Sequence, residues 1–217
     1  MTGLIGLGGT LMILLILGGV IGFADRRHFA PRWLIIAGLL VALNDACLTG
    51  VYGLVPDVIG GEWNWQGKLL ALCATLAIAA LPAFGWGRSG LRLSQNPGSL
   101  KASIPVAIVY CAFFVAIALA FPGGTTNAED VAFQLTMPGF EEEPFYRGIL
   151  LLALDRAFTR KVRFLGVDWG WGAVLSCALF GLAHAFGFSD GHFSFDVMIM
   201  ALTALPSFIA VWLRLKT

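Results

Sequence analysis

The sequence predicts an all-α polytopic membrane protein, a bundle of about seven transmembrane helices, and three observations predict it. Hydrophobic residues make up 58% of the 217-residue chain and charged residues only 12%, against roughly a quarter charged in ordinary soluble domains. The apolar residues come in runs long enough to cross a bilayer, which needs about 20 residues per helix. Twelve of the 14 Lys and Arg residues fall in alternate breaks between those runs. A soluble fold of this size would leave too much apolar surface in water, so the chain belongs in lipid as one compact membrane domain.

The expected spans are 3–24, 34–55, 69–87, 103–122, 141–155, 171–187 and 195–213. The first lacks a basic n-region and an Ala-x-Ala cleavage site, so it reads as a spanning helix rather than a removable signal. Its Gly18, Gly19 and Gly22 are expected to let helices approach closely. The second carries Asn44 and Asp45. An acid inside a span is a functional hypothesis by default; the preferred reading is an Asn/Asp pair hydrogen-bonded to a neighbouring helix. The fifth is short and charged. Turn chemistry separates the spans at Pro56, Gly60-Gly61, Asn96-Pro97-Gly98, Pro122-Gly123-Gly124 and Ser189-Asp190-Gly191. Residues 1–130 form the N-terminal helices in this division and 131–217 the region that carries the chemistry.

Loop charge orients the chain. Arg26, Arg27 and Arg32 follow the first span, Arg88, Arg92 and Lys101 the third, Arg156, Arg160, Lys161 and Arg163 the fifth, and Arg214 and Lys216 the seventh. The other loops carry Asp57, Glu62, Glu129, Asp130, Asp190 and Asp196, with Lys68 the single basic exception. Positive-inside orientation then puts the N-terminus outside and Arg214 in the cytoplasm. Trp63, Trp65, Trp86, Trp169, Trp171 and Trp212 sit near span ends, as an interfacial belt requires. A net charge of +1 leaves no basic stripe for nucleic acid. Cys47, Cys73, Cys111 and Cys177 lie in apolar runs without CxxC spacing and read as buried packing residues. His28 belongs to a basic, solvated loop.

Only Arg147 is left unplaced, inside the fifth span beside Glu141, Glu142 and Glu143. Each charge near the bilayer centre costs roughly 2.5–3.5 kcal/mol, so the cluster must be paired or face a wet cavity. Glu143 and Arg147 are four apart and share a helix face, which makes them a natural ion pair. Glu142 is rotated about 100° away and is free to act as a general base or acid. Pro144 suits a first helical turn, which would place Glu142 and Glu143 at a helix N-terminus, where the dipole favours anions. The bland alternative is a cap at the interface, with only Glu143–Arg147 buried. Phe180 and His184, also four apart, can face one neighbour from the sixth span. A lone histidine there is more often structural; beside a glutamate cluster the balance shifts toward peptide hydrolysis.

Glu142-Glu143-Pro144-Phe145-Tyr146-Arg147-Gly148 followed one helix later by Phe180-Gly181-Leu182-Ala183-His184 resembles the CPBP family, the CAAX proteases and bacteriocin-processing (Abi) enzymes. The resemblance covers roughly residues 125–217. It implies a CAAX-protease-like helical bundle and an intramembrane glutamate-type endopeptidase of the bacterial cytoplasmic membrane. Glu142 would activate water, Glu143 and Arg147 would hold geometry and charge, Phe180 would support, and His184 would assist at the scissile carbonyl. The implied partners are the bilayer and a peptide or membrane-protein substrate, lipidated or not. With no HExxH and only three histidines, no zinc set or other cofactor is expected.

The family's third motif, His-x-x-x-Asn, lies on a helix beyond the position of Arg214–Thr217, so the resemblance implies a site without that motif here. His192 to Asp196 repeats the spacing but reads as a coincidental polar loop. Loop charge also sets Glu142 at the external end, whereas the eukaryotic CAAX proteases of this resemblance meet substrates from the cytosol. Three rival functions stand beside the peptidase: a non-catalytic scaffold or immunity-type protein of the same fold, a zinc-dependent protease, and a small transporter using Asp45 and the glutamates as a proton relay. The lack of broken-helix repeats weakens the last.

Overall fold

Apolar runs of spanning length become helices because every backbone polar group in lipid must be satisfied within its own segment. The computed structural model describes residues 2–121, 123 and 126–217 and is mostly helical, at 70%. Among the described residues, four helices are long and apolar enough to cross a membrane: α1 (Thr2–Ala24), α2 (Pro31–Leu48), α5 (Leu100–Ala120) and α9 (Val197–Lys216). Between α2 and α4 lies the one-turn α3 (Gly50–Gly53), whose Val51 and Tyr52 are left-handed. The remaining expected spans are shorter. The third is α4 (Trp65–Ala80), stopped ahead of Pro82, and the sixth is α8 (Trp171–Ala185); a residue preceding proline is pushed away from helical geometry. Of the expected Pro122-Gly123-Gly124 turn, only Gly123 is among the described residues.

The fifth span departs most from expectation. It is a composite of α6 (Ala128–Met137), a π-helix π1 (Pro138–Leu150) and α7 (Leu151–Ala157). Asn127 and Asp130 cap α6 reciprocally: the Asp130 N–H donates to the Asn127 side chain at 2.9 Å, and the Asn127 N–H donates to the Asp130 carboxylate at 2.8 Å. That N–H and the Trp63 indole hold the Asp130 carboxyl below the usual aspartate range, so the cap stabilises above the unfolded pKa and is released as pH falls through the lower folded value. Pro144 therefore lies well inside a helix rather than in its first turn, and Glu142 and Glu143 do not stand at a helix N-terminus as expected. A proline inside an α-helix lacks its N–H and clashes with the carbonyl four residues back; the wider π register relieves that conflict.

The fold is not purely helical. β1 (Lys161–Phe164) pairs with β2 (Val167–Gly170), and β3 (Phe186–Ser189) with β4 (His192–Phe195), as two antiparallel hairpins. Leu165-Gly166 and Asp190-Gly191 make their turns with positive φ throughout, the twist that suits a two-residue hairpin. The stretch read as a polar loop from His192 is thus strand β4, and Asp196 caps α9 by accepting from the Ile199 N–H at 2.9 Å.

Loops gather at two ends. At one, the Thr159 N–H donates to the His28 carbonyl and the Ala30 N–H to the Ala157 carbonyl, both at 2.9 Å. There the Asn96 N–H reaches the Thr217 carbonyl at 2.8 Å, and the Arg214 guanidinium reaches the Arg88 carbonyl at 3.1 Å. His28, exposed as expected, bonds Asp25 at 2.9 Å. At the other end the Trp63 indole donates to Asp130 at 2.7 Å and the Trp65 indole to Glu129 at 3.0 Å. Basic loops meet basic loops, and acidic loops meet tryptophans.

The core centres on Ile149, Leu150 and Leu154 with Leu14, Leu34, Leu175 and Leu179 around them. All four cysteines are free; Cys177 is buried as expected, Cys47 is half-buried, and Cys73 and Cys111 face outward instead. A Cβ on Gly18 would come within 2.7 Å of the Leu34 side chain, and one on Gly22 would strike the Phe29 ring. A Cβ on Gly19 would meet nothing within 4 Å, so this glycine is not needed for a close helix contact, against expectation. Gly18→Val is expected to overpack the α1–α2 contact and destabilise by about 1–3 kcal/mol, while Gly19→Ala, whose methyl meets nothing, is expected to stabilise by up to about 1 kcal/mol. Thermal unfolding in detergent micelles compares them.

Candidate active site

Three consecutive glutamates on π1 point to three different surroundings. Glu141 is fully buried, at 0% exposure. The Glu142 side chain is 18% exposed and the Glu143 side chain 47%. The interface-cap alternative is therefore inverted, since Glu143 is the outermost of the three and Glu141 the deepest.

Lys68, in the first turn of α4, is the counter-ion that holds the inner two. Its Nζ lies 2.8 Å from Glu141 Oε2 and 2.6 Å from Glu142 Oε1, with only 14% of the lysine side chain exposed. It was the one basic residue that broke the loop-charge pattern, and the exception was the signal: a lysine out of place in an acidic loop is a candidate partner for a misplaced carboxylate. Asn44 of α2, 7% exposed, is a further buried polar neighbour of Glu141. Asp45 turns away, accepting from the Tyr52 hydroxyl at 2.5 Å.

Glu143 and Arg147 form the expected pair, with Oε1 and Nη1 3.3 Å apart. Arg147 is 3% exposed and is held on two further sides. Its Nη2 donates to the Ser207 hydroxyl of α9 at 3.1 Å, and its guanidinium carbon sits 4.0 Å from the Phe180 ring centre. A desolvated cation over an aromatic face gains about 2 kcal/mol. Ser176 of α8 ties the same stretch from behind by donating to the Tyr146 carbonyl at 2.7 Å.

Phe180 thus links the two motifs. Its ring contacts Tyr146 edge-on at 5.1 Å and meets the His184 ring at 4.7 Å with the planes tilted by 54°. The His184 Nδ1 lies 2.8 Å from the Phe180 carbonyl. A carbonyl only accepts, so Nδ1 carries a proton and Nε2 is the ring's free nitrogen. His184 is exposed and lines an open cavity of ≈750 Å³ with Gly187, Ser194 and Asp196. The structure therefore joins Glu143, Arg147, Phe180 and His184 through direct contacts, and fixes Glu142 separately through Lys68. Ser207, Ser176 and Asn44 are supports that the motif spacing gave no reason to select. Among the described residues, no group of three or more His, Cys, Asp or Glu is placed to hold a metal ion.

Removing the Lys68 charge leaves Glu141 buried without a cation, and breaking a buried pair from one side costs about 3–5 kcal/mol. Lys68→Met is expected to destabilise by that amount, and Lys68→Met combined with Glu141→Gln to recover most of it. Chemical unfolding in mixed micelles measures both; full stability of the single variant would mean that the pair is not formed.

Comparison with curated proteins and with solved structures gives no match. The family model described as "Type II CAAX prenyl endopeptidase Rce1-like" matches residues 125–217. That stretch contains π1, α8 and α9 together, hence both motifs and the Ser207 contact, but not Lys68. Over residues 125–217, which hold both motifs, the chain is similar to the Rce1-like type II CAAX prenyl endopeptidases, a protease family within CPBP.

Proposed function

We propose that this protein is an intramembrane glutamate-type endopeptidase that cleaves a peptide or a membrane-associated protein, lipidated or not, from within the bacterial cytoplasmic membrane. The observation that carries the reading is the unbroken line of contacts from Glu143 through Arg147 and Phe180 to His184. It ties the two motifs into one unit and leaves Glu142 and the His184 Nε2 outside that line.

Glu142 takes a proton from water as the water oxygen attacks the scissile carbonyl carbon. An imidazolium held at Nδ1 by the Phe180 carbonyl donates from Nε2 to the oxygen that gains charge. As the C–N bond breaks, the proton held by Glu142 passes to the leaving nitrogen, giving a carboxylic acid and an amine. Lys68 holds the Glu142 carboxylate in one orientation, and Glu143–Arg147 fixes the helix that carries it. The chemistry proposed needs no metal or cofactor. Cleavage lost on chelation and restored by zinc would replace this mechanism with a metal-dependent one.

The Lys68–Glu142 contact also favours a second reading, a non-catalytic scaffold of the same fold, because a carboxylate locked to a lysine can be purely structural. One pair of variants separates the two. Glu142→Gln and His184→Ala are each expected to lower peptide cleavage by about 10²-fold or more while the fold persists in detergent. Cleavage that survives in either variant removes that residue from the mechanism, and a parent protein without cleavage supports the scaffold.

A further inference from the structure

We propose that the outer edge of β4 is a docking strand for an extended stretch of the substrate peptide, which adds as a third strand beside the His184 cavity. The proposal rests on reading His184 and Glu142 as a protease site, and names how that site takes its substrate.

The two-stranded sheet β3–β4 has two edges, and among the described residues one of them is open. On the β3 side α1 closes in: a Cβ on Gly6 would stand 3.6 Å from the Phe188 amide nitrogen, and one on Gly9 would meet the Phe186 and Phe193 rings. On the β4 side all four residues are exposed, with Phe193 at 51% and Phe195 at 52%.

Register decides which groups that edge offers. Ser189 stands opposite His192 across the two-residue turn, and Gly187 opposite Ser194. In an antiparallel pair closed by such a turn, these are the mutually hydrogen-bonded positions. The alternate residues, Phe193 and Phe195, point their N–H and C=O away from β3. Two residues of period two therefore present backbone donors and acceptors to whatever lies alongside, the pattern that β-strand addition uses.

The edge also leads to the chemistry. The Asp196 N–H donates to the Ala185 carbonyl at 2.9 Å, so the ladder runs to the end of α8, one residue from His184. Gly187, Ser194, Phe195 and His184 share the cavity of ≈750 Å³. A peptide paired to β4 would run into the space that His184 lines. The Phe rings do a different job. Phe186 stacks on Phe193 at 5.3 Å and Phe188 meets Phe193 at 4.9 Å, which holds the hairpin to α1 and stiffens the edge.

The probe is a fluorescent peptide ending in a farnesylated Cys-a-a-X sequence, with single N-methyl groups walked along its backbone amides. Binding is read by anisotropy on the full-length Glu142→Gln protein in micelles, so cleavage does not interfere. N-methylation is expected to weaken binding about fivefold or more at every second amide, the size of one lost hydrogen bond, and little at the amides between. Phe193→Pro, which deletes an outward N–H, is expected to weaken the unmethylated peptide and flatten that alternation. Phe193→Ala, which loses the same ring but keeps the N–H, should preserve it. Uniform or absent methylation effects on the otherwise unaltered edge overturn the proposal, as does a lack of saturable binding. Cleavage by Glu142→Gln would instead overturn the catalytic reading, and the methylation pattern would still decide the edge.

Discussion

Glu141 sits without solvent contact in a chain built for lipid, and the position of Lys68 follows from that fact. A buried carboxylate is tolerated only if a cation and further polar groups come to it. Here one ammonium group serves two carboxylates from a different helix, which fixes the rotation of α4 against π1. With Glu141 and Glu142 taken up by Lys68, Arg147 is left to Glu143, Ser207 and the Phe180 face. Two cations thus divide three anions into an inner two, Glu141 and Glu142, and an outer one, Glu143, and α2, α4, α8 and α9 pack around that division.

The π-helix makes the division possible. Three adjacent carboxylates on an ordinary helix turn by about 100° each, and Pro144 directly after them would break the hydrogen-bond ladder. The wider register accommodates the proline and still keeps Glu143 within 3.3 Å of Arg147. π segments are uncommon and cluster at functional sites; this one coincides with the first family motif. It also joins the two halves of the chain. The matched region from 125 to 217 supplies the glutamates, the arginine and the histidine, yet the counter-ion for two of the glutamates comes from Lys68, far outside it.

The hairpin after α8 gives the site its other boundary. Its aromatic face is clamped to α1 across Gly9, so the first helix, remote in sequence, sets where the edge next to His184 stands. Asp196 both caps α9 and extends the β3–β4 contact, and α9 in turn carries Ser207 to Arg147. Hairpin, α9 and the arginine are therefore coupled through a few short contacts rather than through one continuous core.

The sequence by itself determined the membrane setting, the Glu143–Arg147 pair and the shared face of Phe180 and His184. Each follows from composition or from a spacing of four on one helix, and local geometry is enough to read it. It also carries local signals for Asn127-Ala-Glu-Asp130 as the start of α6, for a hairpin where Phe-x-Phe flanks Asp190-Gly191, and for Lys68 as a counter-ion. Only the tertiary structure decided that four helices have full spanning length and that the fifth segment is a composite wound partly as a π-helix. It alone ranked the glutamates by depth, brought Lys68 and Asn44 to Glu141, and brought Ser207 to Arg147. Those outcomes depend on which helix faces which, and residues 73 positions apart, such as Lys68 and Glu141, carry no local trace of their contact.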